Sequence, residues 1–505
     1  MNRSSSLAST SNSPLFCHRE FLLATRDSGY RNTGMAIAEL VDNAIQAEAT
    51  TIEIVVNEER EEEYPISISI TDNGHGMAPA TLAKALAFGG SSRFGDRSSL
   101  GRFGMGLPNA SLSQAKRVDV FTWHERTTLH CYLDLDELAR QENQDLPPVR
   151  SVEGPQETKQ HSCGTRVELS RCDRLEFKRA STIASKLKAD LGRTFRHFID
   201  GGICVRVNAE TVEPIDHLFQ TGPSGGTKFG ETLIYELSGP SGSGVVEVCF
   251  VELPVLLWHK LPEVEKRRLG ITGTSTVSVV RAGREIDRGW LLMGKKRREN
   301  YDAWWRCEIR FEPILDELFG VTHTKQQVSF SEELRMALES DLESIGRALN
   351  HRVRQQFEIA KSTTPLVEAQ RTASKISASL PPLPQDESSG PGSGIDPVRG
   401  ALPPDTGDPL QLFLAELSTT ALYDFTLRDG ALCVFLNIRH PILRDIYQPL
   451  AYSDQPTDQK LAKNMALVLL AAARAEVRCG ANSANGHLRW FRQEWSDVTA
   501  TFLNA

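Results

Sequence analysis

The sequence predicts an α+β protein of several domains, and two observations support this fold class. Runs of alternating apolar residues, typical of strands, follow one another without a helix between each pair, unlike the strict β–α alternation of a dinucleotide-binding fold. The chain of 505 residues is also too long for one ordinary core, so two to four domains are expected. We therefore expect a mostly antiparallel sheet with about three covering helices first, and smaller α+β domains after it.

The composition is that of a soluble globular protein, with 40% hydrophobic and 24% charged residues. A net charge of −8 argues against a chain that coats nucleic acid indiscriminately. The nine cysteines form no C-x-x-C pair or other metal-ligand spacing, which favours reduced thiols in the cytoplasm. No apolar run approaches the length of a membrane span, and the first residues lack a signal-peptide core, so we expect no membrane association.

The first long predicted helix covers residues 35–46, M-A-I-A-E-L-V-D-N-A-I-Q. Glu39, Asn43 and Gln46 fall on one stripe of this helix, opposite an apolar face. A carboxylate and a carboxamide one turn apart can place a general base beside a hard oxygen ligand. The same stripe is more often a solvated helix face, and both interpretations are open at this point.

Two predicted strands, 51–57 and 66–71, lead to the loop Asp72-Asn73-Gly74-His75-Gly76-Met77. Its two glycines let the backbone turn sharply and approach a flat ligand. A carboxylate such as that of Asp72 can accept a hydrogen bond from an exocyclic amine, and would thereby select adenine over guanine. An ordinary Asx turn is the alternative interpretation.

A glycine-rich segment, residues 89–106, separates a predicted helix at 80–88 from another at about 108–115. Converging N–H groups and the helix dipole make a glycine cluster at the start of a helix a potential anion site. The segment has the composition of a mobile lid over phosphates. Predicted strands at 118–123, 129–133 and 164–169 complete the first domain.

Four motifs in this order resemble the GHKL ATPase superfamily of gyrase B, heat-shock chaperones, histidine kinases and MutL. They are E-L-V-D-N-A, D-N-G-H-G, G-R-F-G-M-G-L and G-T-R-V, all within residues 35–170. Within the superfamily the chain is most similar to MORC proteins and their bacterial relatives. Two residues depart from the pattern. Gln46 stands where many relatives carry an acid, and Pro108 stands where MORC proteins usually carry lysine. The resemblance implies a Bergerat-type α/β sandwich that binds ATP and Mg²⁺.

The resemblance also implies roles for individual residues. Glu39 would be the general base that activates the attacking water, and Asn43 would ligate the metal ion, Mg²⁺. Asp72 would bind the adenine amine, with Thr165 behind the ring. The remaining nucleotide-binding candidates are Gly74, Gly76, Met77, Gly101, Gly104, Met105, Gly106 and Leu107.

Residues 174–361 resemble the transducer (ribosomal S5-like) domain of gyrase, MutL and MORC proteins, with predicted strands at 203–207, 245–251, 275–281 and 307–311. Lys325 within V-T-H-T-K-Q-Q would reach the γ-phosphate in such a domain. The basic run of residues 295–298 could meet phosphate backbone or could be a solvated loop. Histidine kinases have no such domain, which argues against them.

The predicted domain order is a flexible segment at 1–15, the ATP-binding domain at 16–173, the transducer-like domain at 174–361, a disordered linker at 362–410 and a small α+β domain at 411–505. The function this favours is a Mg²⁺-dependent, MORC-like ATPase that dimerises with ATP and could clamp DNA in genome maintenance or phage defence. A chaperone-like remodelling ATPase and a nucleotide-gated scaffold with little turnover are the alternatives.

Overall fold

The computed structural model describes most of the chain as two compact units. One comprises residues 1–253 and 267–347, and the other comprises residues 254–266 and 348–505. The described residues are 18–27, 29–30, 32–59, 62–90, 105–125, 127–138, 140, 146–159, 161–221, 225–273, 276–321, 327–383, 395–396, 408–428, 430–480 and 485–504.

An eight-stranded sheet forms the centre of the first half of the chain, with the strand order β5-β4-β3-β6-β2-β1-β7-β8. Its pairings are antiparallel except for the parallel pair of β1 and β7. The strands are β1 (Thr51–Glu58), β2 (Ile66–Asp72), β3 (Arg117–His124), β4 (Thr127–Asp134), β5 (Arg150–Val152), β6 (Cys163–Ser170), β7 (Cys204–Val207) and β8 (Glu210–Thr211).

Helices accompany this sheet, and the longer ones bury apolar side chains against it. The helices are α1 (His18–Asp27), α2 (Thr33–Gln46), α3 (Pro79–Leu86), α4 (Gly106–Gln114), α5 (Leu135–Leu138), α6 (Ala180–Thr194) and α7 (Arg196–Asp200). Asn32 caps α2 by accepting a hydrogen bond from the Met35 N–H at 2.8 Å. The core between helices and sheet includes Ile37, Val41, Ile52, Ile54, Ile68, Leu112, Val118, Leu187 and Leu191.

The α+β class is confirmed, and the predicted elements of the first domain agree with those observed to within a few residues. The structure differs at the end of this domain. It places residues 180–211 with the first sheet, because β7 pairs with β1 and α6 packs on the same core. The sequence had assigned this segment to the second domain, since the pairing of distant parallel strands leaves no local pattern.

A second sheet with the order β10-β11-β14-β12-β13 follows, and β9 pairs with β11 beside it. Its strands are β9 (Thr227–Lys228), β10 (Leu233–Gly239), β11 (Gly242–Glu252), β12 (Val277–Arg281), β13 (Arg284–Gly289) and β14 (Trp305–Phe311). Helix α10 (Asp316–Phe319) follows β14 in the same unit, whereas α8 (Val255–Trp258) belongs to the other unit. Helices α9 (Glu263–Arg268) and the long α11 (Glu332–Ile376) each have residues in both units. Strand β12 runs parallel to β14, whereas the hairpin partners β12 and β13 are antiparallel.

Helix α11 corrects the predicted linker, because residues 362–376 are helical rather than disordered. Leu366, Ala369 and Ala373 are buried in the core of the second unit, and this burial stabilises the helix despite Pro365 within it. The Pro-, Ser- and Gly-rich residues 384–394 and 397–407 lie outside the described part of the chain.

A four-stranded sheet and three helices make up most of the second unit, with the strand order β15-β16-β18-β17. The elements are β15 (Ile395–Asp396), β16 (Leu410–Leu417), β17 (Tyr423–Arg428), β18 (Ala431–Asn437), α12 (Gln448–Tyr452), α13 (Pro456–Gly480) and α14 (Asn485–Leu503). His440 is buried and shares a hydrogen bond with the Ser496 carbonyl at 3.0 Å. Its position therefore indicates a structural role. None of the helices in the described ranges is long and apolar enough to cross a membrane.

Candidate functional site

One group of candidate residues lies in a row across the first sheet, where β3, β6 and β2 are adjacent. Asp72 at the end of β2 pairs with Thr165 on β6, and Thr165 pairs with Thr122 on β3. The two threonine hydroxyls are 3.3 Å apart, and the Thr122 hydroxyl accepts a hydrogen bond from the Met77 N–H at 2.8 Å. The structure thus brings Asp72, Thr165 and Met77 together, as the sequence predicted. Thr122 was missed, because a threonine in a strand carries no signal by itself.

The loop after β2 is fixed by close contacts of its backbone. Asn73 accepts hydrogen bonds from the N–H groups of Thr50 and Thr51, both at 2.9 Å. A Cβ on Gly74 would lie 2.7 Å from the Cβ of Ala47, and one on Gly76, where φ is +69°, would lie 2.6 Å from the Trp123 carbonyl oxygen. Both glycines are therefore required for the packing of this loop, and the room they leave for a ring stays a prediction.

The carboxyl group of Asp72 is buried, and its side chain forms an Asx turn with the residues that follow. It accepts a hydrogen bond from the Gly74 N–H at 2.8 Å. Burial raises the pKa of Asp72 to about 6, and the N–H groups of Gly74 and Thr165 oppose this only in part. A further hydrogen-bond donor, such as an exocyclic amine, would stabilise the ionised form of this buried carboxylate.

A second group surrounds Glu39, which is only 4% exposed. The helix stripe of Glu39, Asn43 and Gln46 is therefore not a solvated face: Glu39 is buried, and the other two residues are partly exposed. A Cβ added to Gly106 would lie 2.7 Å from Oε1 of Glu39. The carboxylate thus lies against the first residue of α4, where the helix dipole stabilises negative charge.

Three residues that were not predicted as site residues complete this group. Asp42 on α2 is fully buried, and its Oδ2 lies 3.0 Å from Nε of Arg284 at the start of β13. The Arg284 Nη2 lies 4.0 Å from Oε2 of Glu39. Burial, followed by the nearby Glu39 charge, raises the pKa of Tyr30 well above its usual value. Tyr30 precedes α2 and Arg284 lies more than two hundred residues after it, so the motif on α2 gives no indication of either residue.

The other candidates are placed as follows. Met105 and Leu107, at the start of α4, are partly exposed near Gly106. The Gln46 Nε2 is buried and has no hydrogen-bond partner among the described residues. Gly101, Gly104 and Lys325 lie outside the described residues, so their roles stay predictions.

The donor set suits adenine better than a protein-made metal cage. No group of three His, Cys, Asp or Glu residues in the described ranges could hold a metal ion. A hard cation at Asn43 would therefore have one carboxamide ligand and would depend on phosphate oxygens, as is usual for Mg²⁺ in nucleotide sites. Asp72 is a buried acceptor that could receive a hydrogen bond from an exocyclic amine.

Comparison with known proteins agrees with this geometry. Residues 30–165 match the family model described as "Histidine kinase-, DNA gyrase B-, and HSP90-like ATPase". This domain belongs to the GHKL ATPase superfamily. The sequence-based recognition is confirmed, and residues 30–165 contain every GHKL candidate residue except Lys325.

A part of the chain is also similar to MORC proteins. A segment of 93 residues is 36% identical to ATPase MORC2B of Mus musculus, covering 18% of this chain and 9% of the mouse protein. A segment of 99 residues is 34% identical to ATPase MORC2 of Homo sapiens, covering 19% of this chain and 10% of the human protein. The chain thus matches about a tenth of the length of these relatives, and the activity of the whole chain is a matter for proposal.

Outside the GHKL domain, the basic run of residues 295–298 is only partly available to a ligand. Lys296 is 3% exposed, and its Nζ lies 2.6 Å from Oδ1 of Asp302. Its ammonium also lies 4.9 Å from the centre of the Trp290 ring. Lys295, Arg297 and Arg298 are exposed, so at most these three could meet phosphate backbone.

The raised pKa of Asp72 predicts how the stability of the GHKL domain depends on pH. The folded state binds this proton below pH of about 6, whereas the unfolded chain binds it only below about 3.8. Asp72 therefore lowers the free energy of unfolding as pH rises through this window, by about 1–3 kcal/mol in total. We expect Asp72→Asn to be more stable than wild type at pH 7 and to lose this advantage at pH 4, measured by urea unfolding.

Asp119→Asn is the matched control for this measurement. Burial opposes the ionisation of Asp119, but hydrogen bonds from His130 and Arg117 outweigh it and lower the pKa. This substitution should therefore destabilise the protein at pH 7, whereas Asp72→Asn should stabilise it. A stability difference for Asp72→Asn that does not change between pH 4 and 7 would contradict the assignment.

Proposed function

We propose that this protein is an ATP-binding and ATP-hydrolysing conformational switch of the MORC-like kind. The observation that carries the proposal is the position of the Glu39 carboxylate: buried, against the first residue of α4, and one helical turn from Asn43. A carboxylate held in this way can accept a proton from a water molecule that faces a terminal phosphate.

The nucleotide would lie between the two groups of residues. Asp72 would accept a hydrogen bond from the adenine amine, with Thr165 behind the ring and Gly74, Gly76 and Met77 beside it. Met105, Gly106 and Leu107 at the start of α4, with Gly101 and Gly104 before them, would bind the phosphates through backbone N–H groups. Base recognition would thus depend on the sheet, and phosphate binding on the helix.

Hydrolysis needs a positioned water, charge neutralisation and little covalent chemistry from the protein. Mg²⁺ bound at Asn43 would neutralise the phosphate oxygens. Glu39 would orient the water and take its proton, because a buried carboxylate is held in one orientation toward the water. Lys325 would bind the γ-phosphate, and this contact would be lost after hydrolysis. The loss would couple the reaction to a movement of the second sheet.

The larger assembly is also proposed. The sheet of β9 to β14 would act as the transducer, and ATP would favour a dimer formed through the GHKL domains. The exposed Lys295, Arg297 and Arg298 support contact with DNA, in which case the dimer would act as a clamp. Genome maintenance and phage defence are settings in which such a clamp would serve.

Turnover and mass measurements test this function together. We expect purified protein to release phosphate from ATP only with Mg²⁺, and its mass in solution to double with a non-hydrolysable ATP analogue. GTP serves as the matched control, since it lacks the amine that Asp72 would bind. No affinity for ATP would reject the proposal, whereas turnover without a change of mass would reject the dimer alone.

Binding of duplex DNA, measured with and without the analogue at two salt concentrations, tests the clamp. We expect affinity that falls with salt and changes with nucleotide state. Arg297→Ala combined with Arg298→Ala should weaken it. DNA affinity that is independent of nucleotide would remove the clamp and leave the ATPase.

A further inference from the structure

The hairpin of β12 and β13 brings one arginine from the second sheet to the base-bearing helix of the first. Arg284 is 4% exposed, and it contacts Asp42 at 3.0 Å and approaches Glu39 to 4.0 Å. Glu39 and Asp42 lie three residues apart on α2, so their carboxylates are on neighbouring positions of one helix face. Arg284 is thus a cation shared by two buried acids.

This sharing has an electrostatic reason. Two neighbouring buried carboxylates repel each other, and a cation close to both offsets this repulsion. Asp42 is 0% exposed and Glu39 is 4% exposed, so bulk water does not offset it. A general base must keep one orientation. Arg284 lies 3.0 Å from Asp42 and 4.0 Å from Glu39, so it is placed to hold this pair of carboxylates.

The residues beside Arg284 fix the position of the hairpin through buried charged contacts. Arg281, at the end of β12, binds Asp316 with two contacts of 2.6 and 2.8 Å. Glu285, the next residue along β13, accepts hydrogen bonds from Arg193 at 2.7 Å and from Arg196 at 2.8 Å. All of these side chains are buried, so the hairpin cannot move without breaking charged contacts.

We propose that Arg284 is a positioning residue for ATP hydrolysis, which holds the Glu39 carboxylate in place from the β12–β13 hairpin. The inference rests on the proposed ATPase function. Its consequence is that hydrolysis depends on the docking of the β12–β13 hairpin against α2, whereas binding of the adenine at Asp72 does not. Movement of the second sheet would then switch the base on or off without releasing the nucleotide.

The test separates the rate of hydrolysis from the affinity for ATP. We expect Arg284→Ala to lower kcat by about 10- to 100-fold and to change the Kd for ATP by less than about threefold. Arg284→Lys should restore kcat in part, because it returns the charge without the planar fork. Arg206→Ala is the control: Arg206 is an exposed arginine on β7, and kcat should stay at the wild-type value.

A second variant guards against misfolding, since Arg284→Ala leaves buried charges without their cation. Arg284→Gln combined with Asp42→Asn removes one positive and one negative charge and keeps polar side chains in place. It should fold with a cooperative thermal transition and should also show the loss in kcat. In the background of Glu39→Gln, Arg284→Ala should cause no further loss, because the two residues act as one unit.

A wild-type kcat for Arg284→Ala, or for the folded double variant, would overturn the proposal. A loss confined to the Kd for ATP would overturn it as well. Both outcomes presuppose an active wild-type enzyme, so they are distinct from failure of the proposed function, in which the wild type itself neither binds nor hydrolyses ATP.

Discussion

Glu39→Gln is expected to lower kcat for ATP by about 10²- to 10⁴-fold, the usual contribution of a general base. The Kd for ATP should stay within a few-fold of wild type, because glutamine preserves the shape of the buried side chain and removes only its basicity. The ATP-bound form should accumulate, and with it the proposed dimer. Phosphate release in steady state and filter binding of labelled ATP measure the two quantities separately.

Glu48→Gln is the matched control, since Glu48 is an exposed carboxylate just beyond the end of the same helix. Its kcat should equal that of the wild type. If Glu39→Gln hydrolyses ATP at the wild-type rate, Glu39 is not the base. If neither protein binds ATP, the whole site assignment fails.

The second large effect concerns stability. Arg196 donates hydrogen bonds to Glu285 at 2.8 Å and to Glu308 at 2.5 Å, and all three side chains are buried. Removing one partner of a buried ion pair typically costs about 3–5 kcal/mol. Arg193 and Arg310 still compensate the two acids, so we expect Arg196→Met to lower the free energy of unfolding by about 2–4 kcal/mol.

Urea unfolding at pH 7 measures this loss, with Arg206→Met as the control. Arg206 is an exposed residue of β7, and its replacement should change stability by less than about 0.5 kcal/mol. A loss for Arg196→Met no larger than for the control would mean that the network contributes nothing net. The effect should shrink as pH falls, because buried pairing lowers the pKa of Glu308 and protonation removes the charge that Arg196 compensates.

The first domain was predictable because its signals are local. Alternating isoleucines at 66, 68 and 70 specify β2 and its buried face, and the loop glycines at 74 and 76 are required for close backbone packing. Glu39 and Asp72 could be proposed as site residues because their motifs are short and contiguous. Each depends on neighbours within a few residues, which the sequence displays directly.

The missed features depend on contacts between distant segments. Asp42 has no visible function until Arg284, which is more than two hundred residues later in the chain, lies beside it. Residues 362–376 have the composition of a linker, yet burial of Leu366 and Ala369 makes them helical. Lys296 likewise belonged to a surface-like basic run and is in fact buried with Asp302. Local composition cannot indicate which partner a side chain will have.

The parallel pairing of β7 with β1 has a consequence for dissecting this protein into pieces. A fragment ending at residue 173 would leave the row of N–H and C=O groups along β1 without its neighbour, and would uncover Ile52 and Ile54 where α6 had packed. Such a bare sheet edge invites association with other chains. The smallest self-contained piece around the first sheet therefore includes β8 and ends at residue 211 or later.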